Sequence, residues 1–332
     1  MTSKKRTILV TGGAGYIGSH IVSALRSSGG YRIEIVDNFR ESRSNVIQDE
    51  SIVYHEVDIR NKEKLMEVFE LTKPDLVFHF AALASVPDSM ENPAEYYENN
   101  VVGGLNLLEC MRVCGVKKIV FSSSASTYGE PLTEEITEEH PQVPTNTYGY
   151  TKLIFENMLK DYNRSYGFSS ISLRYFCASG CDVSAGIGEY HTPETHAIPS
   201  IVETLLGRRK EFSVYGNDFP TPDGTGVRDY IHVMDLAEAH TLAMNKLFEE
   251  NLMCKQYNLG INKGFSVMEL IKSAEEISGK KLSYSIKDRR LGDPSRLIAN
   301  SDKAQKELGW TPKHLDVKDM IASTYEFFSS KK

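Results

Sequence analysis

The stretch Thr7-Ile8-Leu9-Val10-Thr11-Gly12-Gly13-Ala14-Gly15-Tyr16-Ile17-Gly18 constrains the fold more than any other part of this 332-residue chain. A short aliphatic run meets a glycine-rich turn, and the residues that follow, Tyr16–Ser27, take helical spacing. The glycines fit both G-x-G-x-x-G (Gly13, Gly15, Gly18) and G-x-x-G-x-x-G (Gly12, Gly15, Gly18). Glycine there allows a tight turn and lets the free N–H groups of a helix start approach a pyrophosphate closely. Such a turn alone is a weak indicator. Here Asp37 closes the next strand, about 20 residues on, where a carboxylate accepts hydrogen bonds from an adenosine ribose and repels a 2′-phosphate. Together the two features imply a dinucleotide site that prefers NAD to NADP.

The same alternation continues along the chain. Strands are predicted at Thr7–Thr11, Arg32–Asp37, Ile52–His55, Leu76–Phe80, Lys118–Ser122 and Ser170–Tyr175, with helices at Tyr16–Ser27, Asn61–Leu71, Pro93–Cys114 and Tyr148–Tyr166. Alternation of this kind specifies an α/β fold, a doubly wound parallel sheet of Rossmann type covered by helices on both faces. After residue 176 the pattern loosens into Gly-, Pro- and His-rich loops, then recovers helices at Ile198–Leu206, Asp235–Glu249, Val267–Ser278 and Ser301–Leu308. The expected organisation is an NAD-binding domain over 1–176, to which 229–256 returns, and a smaller, loop-rich α/β domain over 177–332.

Charge and cysteine content narrow the partners. With 38 Lys and Arg against 45 Asp and Glu, the formal charge of -7 offers no general attraction to nucleic acid or to an anionic membrane. The basic start at Met1–Arg6 precedes an apolar run that ends at Gly12, too short for a signal peptide or a span. Five scattered cysteines, an odd number, point to reduced thiols and a cytoplasmic setting. Cys177, Cys181, His191 and His196 imitate the order of a zinc site, but the spacer is short and Gly180, Gly186 and Gly188 break any presenting helix, so no metal is expected.

A second constellation carries chemistry. Tyr148 and Lys152 stand at i and i+4 of a predicted helix, on one face, and Phe121-Ser122-Ser123-Ser124 closes a strand at the edge where open α/β sheets bind ligands. A phenol is a poor base at neutral pH; a nearby ammonium and a nicotinamide cation favour its phenolate. Singly, a Tyr and a Lys at this spacing are ordinary surface residues. After a dinucleotide fingerprint and a serine strand end, they read as catalytic together with Ser124.

The Thr-Gly-x-x-Gly-x-x-Gly turn with Ser and Tyr-x-x-x-Lys resembles the extended short-chain dehydrogenase/reductase superfamily. Further pieces, Asp37-Asn38, His79-Phe80-Ala81-Ala82, Tyr96-Tyr97-Glu98-Asn99-Asn100, Leu173-Arg174-Tyr175-Phe176, Thr221 to Val233, Tyr257-Asn258-Leu259-Gly260 and Arg289-Arg290-x-Gly292-Asp293, resemble its UDP-glucose 4-epimerase family over essentially the whole chain. The resemblance implies NAD contacts at Gly12, Gly15, Tyr16, Ile17, Gly18, Asp37, Asn38, Asp58, Ile59, Phe80, Ala81, Ala82, Asn99, Ser122, Tyr148, Lys152 and Tyr175. For a UDP-hexose it implies Ser124, Tyr148, Phe176, Cys177, His196, Tyr215, Arg228, Arg290, Asp293 and Leu297, the arginines being suited to bidentate binding of diphosphate oxygens. It also implies the chemistry: Tyr148 takes the proton of the sugar 4-hydroxyl, C4 gives a hydride to retained NAD, and the 4-keto sugar turns over before the hydride returns.

Four positions depart from the family pattern. Cys177 and His196 stand where the family commonly has Asn, Ala84 where some members carry Lys, and Leu297 at the position where Tyr excludes N-acetylated sugars and a small residue admits them. UDP-glucose and UDP-galactose are the expected pair. Alternatives are an epimerase of UDP-GlcNAc and UDP-GalNAc, a sister nucleotide-sugar dehydratase or decarboxylase, and a non-catalytic NAD sensor. Ala125-Ser126 replaces the acidic pair that follows the active-site hydroxyl in dehydratases, and the Tyr-Lys pair disfavours a sensor. Helices Pro93–Cys114 and Tyr148–Tyr166, apolar on more than one face, predict a homodimer with a four-helix interface.

Overall fold

Strands buried on both faces build the centre of the molecule, seen in a computed structural model that describes residues 5–40, 46–191, 194–251, 254–290 and 293–331. Residues 1–4 of the basic start and Gly292 lie outside the described residues. β1 (Arg6–Thr11), β2 (Tyr31–Asp37), β3 (Ile52–Glu56), β4 (Leu76–His79), β5 (Lys118–Ser124) and β6 (Ser169–Tyr175) are followed by β7 (Cys177–Ser179), β8 (Phe212–Tyr215) and β9 (Val227–His232), which lie outside the large sheet. β10 (Cys254–Leu259) then returns as its seventh strand, giving the all-parallel order β3-β2-β1-β4-β5-β6-β10. The order reverses between β1 and β4, so a crevice opens beyond their carboxyl ends.

The pleat of β1 shows how the layers are divided. Ile8 and Val10 join a core with Ile21, Val22 and Leu25 of helix Tyr16–Ser28 and Leu236 and Leu247 of helix Val233–Glu249. Leu9, between them, faces the opposite core, formed with Leu65 and Phe69 of helix Lys62–Thr72, Leu107 and Leu108 of helix Gly103–Val113, and Phe155 and Leu159 of helix Thr147–Tyr166.

The smaller part is built on β9, which pairs with β7, β11 (Gly264–Ser266) and β13 (Arg296–Leu297), while β8 pairs with β12 (Tyr284–Lys287). The stretch that rejoins the large sheet therefore starts with helix Val233–Glu249 and runs through Leu259. The sequence had placed its start at 229, inside β9. A terminal helix, Val317–Ser330, escaped the sequence reading; it is capped by Asp316, whose carboxylate accepts from Lys318 N at 3.0 Å, and buries Met320, Ile321, Phe327 and Phe328.

One predicted helix is broken. Pro93–Cys114 divides into Pro93–Tyr96, a π-helical turn at Tyr97–Val102 and Gly103–Val113. The extra residue per turn is stabilised from elsewhere in the chain: Asn100 Oδ1 accepts from Leu83 N (2.9 Å), and its Nδ2 donates to Leu83 O and Thr151 Oγ1 (both 3.0 Å). Such turns often mark functional sites. This one sets Asn99 at the crevice.

Candidate active site

The crevice is built by close backbone approach. Gly12 has φ of 74°, and a Cβ on it would stand 2.5 Å from Ala81 N. A side chain there would close the gap between the turn and the end of β4. Gly12, Gly15, Asp37, Asn38, Ile59, Phe80, Ala81, Ala82 and Asn99 line the cavity, and Val36, Arg40, Val57 and Leu83 line it too. Asp37 is held ready at the end of β2, its Oδ2 accepting from Ala14 N (3.0 Å) and Oδ1 from Phe39 N (2.8 Å). Burial raises its pKa, against the opposing effect of these two hydrogen bonds.

Other expected contacts point elsewhere. Tyr16 donates its hydroxyl to Gly180 O at 2.6 Å and Ile17 packs into the core, which leaves their backbone as the part near the turn. Asp58 accepts from Arg60 Nε (2.9 Å), Arg60 Nη2 (2.8 Å) and Asn38 Nδ2 (3.1 Å), and its pKa is held well below the carboxylate range chiefly by Arg60. Asp58 thus orients Asn38, which does line the cavity.

Beyond the dinucleotide turn lies the chemistry-bearing group. Asn146 caps helix Thr147–Tyr166, accepting from Gly149 N at 2.8 Å, and so fixes the helix start that carries Tyr148. Tyr148 is half-buried; burial pushes its phenol up to about 12, and the Ser124 hydroxyl opposes that shift. Lys152 Nζ donates to Ser122 O at 2.7 Å and lies 5.6 Å from the centre of the Tyr148 ring. Burial pushes Lys152 down to about 7, while the Glu156 carboxylate one helical turn on raises it. Tyr175 meets His240 Nε2 at 2.7 Å, and burial pushes His240 down to about 4, which keeps that imidazole neutral.

Sequence reasoning missed the support behind these residues. Glu156 accepts from Arg174 Nε (2.9 Å), Arg174 Nη2 (2.6 Å) and Ser123 Oγ (2.5 Å), with the Glu156 side chain fully buried. Arg174 Nη1 also donates to the Tyr128 hydroxyl at 2.7 Å, which donates to Asn258 Oδ1 at 2.6 Å. The signal was present as the i+4 position after Lys152, on the same helix face.

The candidate sugar-nucleotide residues divide. Arg228 pairs with Asp293 and donates to Val227 O at 2.8 Å, and the Arg290 guanidinium lies 3.8 Å from the centre of the Tyr215 ring. Phe176 and Leu297 pack with Ala125, Tyr128 and Ala299. Cys177 lies opposite Tyr230 in the β7–β9 register, its thiol pushed up to about 12 by burial although Arg228 opposes the shift. His196, expected at the nucleotide sugar, instead has Nδ1 at 2.9 Å from Glu189 Oε1 and 3.1 Å from Glu194 Oε1. Both carboxylates are buried, and His191 Nδ1 faces them as well, at 3.5 and 3.6 Å. Cys177 and Cys181 are not in that group.

A glycine cradle at the switch point, an Asp at the end of β2 and a Ser-Tyr-Lys group at the end of β5 define an NAD-dependent enzyme on a doubly wound sheet. The chain belongs to the NAD dependent epimerase/dehydratase family, whose pattern matches residues 8–260. It is 44% identical to UDP-glucose 4-epimerase of Halalkalibacterium halodurans over 320 residues, 96% of this chain and 95% of that one. The crystal structure of UDP-glucose 4-epimerase from Bifidobacterium longum with NAD+ and UDP superposes with a TM-score of 0.93, at 39% identity and 98% coverage of both chains. The UDP-Glc/GlcNAc 4-epimerase of Campylobacter jejuni superposes with a TM-score of 0.84, at 35% identity, 98% coverage of this chain and 99% of that one.

Proposed function

We propose that this chain is an isomerase that interconverts UDP-galactose and UDP-glucose at sugar C4. The observation that carries the reading is the Lys152 ammonium held by Ser122 O at the strand end beside the dinucleotide crevice, 5.6 Å from the centre of the Tyr148 ring. NAD, when bound, supplies a hydride acceptor at C4 and the means of returning the hydride. Tyr148 takes the 4-hydroxyl proton; Ser124 positions that hydroxyl; the Lys152 ammonium lowers the cost of the phenolate. Asp37 and Asn38 hold the adenosine end, with Gly12, Gly15 and Gly18 at the pyrophosphate and Tyr175 and Ser122 at the nicotinamide end. Arg228, Arg290 and Asp293 hold the UDP, with Phe176, Cys177 and Tyr215 beside them. Anchoring through the nucleotide leaves the sugar free to turn, which inversion requires.

By this reading residues up to 176, with the helix Val233–Glu249 and β10, form the cofactor domain and the remainder the nucleotide-sugar domain. Incubation of the protein with UDP-galactose and separation of the products tests the activity: formation of UDP-glucose is expected, and its absence with NAD supplied refutes the reading. Leu297 sets the bulk facing the sugar. Leu297→Tyr is expected to lower the kcat/KM ratio of UDP-N-acetylgalactosamine to UDP-galactose at least about tenfold by steric exclusion. An unchanged ratio removes Leu297 from that role.

No described helix is long and apolar enough to cross a membrane, and the five cysteines are free thiols. We place the protein in the cytoplasm as a homodimer. Exposed Tyr97, Val102, Leu105 and Val113, on the broken helix, and Tyr150 on helix Thr147–Tyr166 support a four-helix interface. Light scattering at micromolar concentration is expected to give twice the 37.3 kDa chain mass. A clean monomer mass overturns the dimer.

A further inference from the structure

Glu189, His191, Glu194 and His196 converge between β7 and helix Ala197–Leu205, and the chemistry above uses none of them. One ligand atom from each lies within 4.8 Å of the others. The two carboxylates are almost wholly buried side by side, with 3% of each side chain exposed, an arrangement that costs free energy unless positive charge lies between them. Ion pairing accounts for His196, at 2.9 and 3.1 Å from the two carboxylates. The same carboxylates face His191 at longer range, its buried Nδ1 standing 3.5 Å from Glu189 Oε1 and 3.6 Å from Glu194 Oε2 and left without a hydrogen-bond partner.

A tetrahedral cation explains both histidines. Zn–N and Zn–O bonds of about 2.0–2.1 Å set neighbouring ligand atoms about 3.3–3.4 Å apart; Glu189 Oε1 lies 3.5 and 2.9 Å from the two Nδ1 atoms and Glu194 Oε2 lies 3.6 Å from His191, either side of that edge length, and one ligand atom from each residue falls within 4.8 Å of the others. Glu194 is already oriented, its Oε1 accepting from Thr195 N (2.8 Å) and His196 N (2.7 Å), with Oε2 toward His191. We propose that Glu189, His191, Glu194 and His196 form a closed binding site for a divalent transition metal, Zn²⁺ foremost. The imidazole and carboxylate donor set suits that class and lacks the thiolate that selects Cu(I). Four protein ligands make the site structural: it pins the loop to the start of helix Ala197–Leu205 on the nucleotide-sugar side.

The test uses the full-length protein purified without a metal-affinity tag, stripped with a chelator, and titrated with Co²⁺ and then Zn²⁺. One equivalent of Co²⁺ is expected to bind with the intense visible bands of tetrahedral coordination and to be displaced by Zn²⁺. His191→Ala and Glu194→Gln should each weaken Co²⁺ binding at least about tenfold, since even losing a partner behind a ligand costs 10–100-fold. His314→Ala, a histidine outside the cluster, should bind as the parent does. The proposal is overturned if the parent protein shows no saturable one-equivalent binding, if its bands are weak and octahedral, or if the cluster variants bind unchanged. Circular dichroism checks their folding, and a variant that does not fold is set aside because the titration of the parent protein decides alone.

Discussion

Tyr148→Phe is expected to lower kcat by about 10²–10⁴-fold, the range that a positioned general base contributes. The ring and its packing remain, and Lys152 keeps its bond to Ser122 O, so NAD should stay bound at parental stoichiometry. What disappears is the hydroxyl on the ring whose centre lies 5.6 Å from the Lys152 ammonium. Burial alone holds the phenol near 12, far too basic to ionise at neutral pH, so the reaction depends on positive charge arriving beside it. Steady-state kinetics with bound-nucleotide analysis checks this. Loss of less than tenfold would place the base elsewhere, and loss of NAD would make Tyr148 a cofactor ligand first.

Glu156→Gln is expected to cost about 3–5 kcal/mol of stability, as breaking a buried ion pair does. The amide keeps the shape of the side chain but leaves the Arg174 guanidinium uncompensated between Tyr128 and the sheet. A urea unfolding curve should show the loss as a lower midpoint. The sign of the pH effect follows from the lowered pKa of Glu156 in the folded protein: burial raises it, but Arg174 and Ser123 outweigh burial. Its contribution is complete above the ordinary value of 4.5 and is lost as pH falls through the lowered one. The variant should therefore lack that part of the acid sensitivity. A second signature lies in turnover. Glu156 raises the Lys152 pKa against burial, which holds it near 7; without the carboxylate the ammonium is lost at lower pH. The alkaline limb of kcat should move to lower pH, and a limb that stays in place would confine Glu156 to a structural role.

Features written in local sequence were readable. The run Ile8-Leu9-Val10 into Gly12, Gly15 and Gly18 could become little other than a buried strand, a tight turn and a helix, and Asp37 followed from strand length. Tyr148 and Lys152 share a helix face by spacing alone. Features decided by distant partners were not readable. The apolar spacing of Pro93–Cys114 suits an unbroken helix, and only the bonds of Asn100 to Leu83 and Thr151 reveal the π turn. β7, β11 and β13, two or three residues each, exist through pairing with β9 and carry no period of their own. The partners of His196 were equally hidden: Glu189 and Glu194 meet its Nδ1 through the fold of the loop, and no spacing marks them.

The most direct test of the central claim is turnover of UDP-galactose deuterated at sugar C4, by protein given no cofactor. The expected result is UDP-glucose with the deuterium still on C4, formed by an enzyme that carries its NAD through every cycle. No product when NAD is added, or product whose C4 deuterium has been lost to solvent, would contradict it.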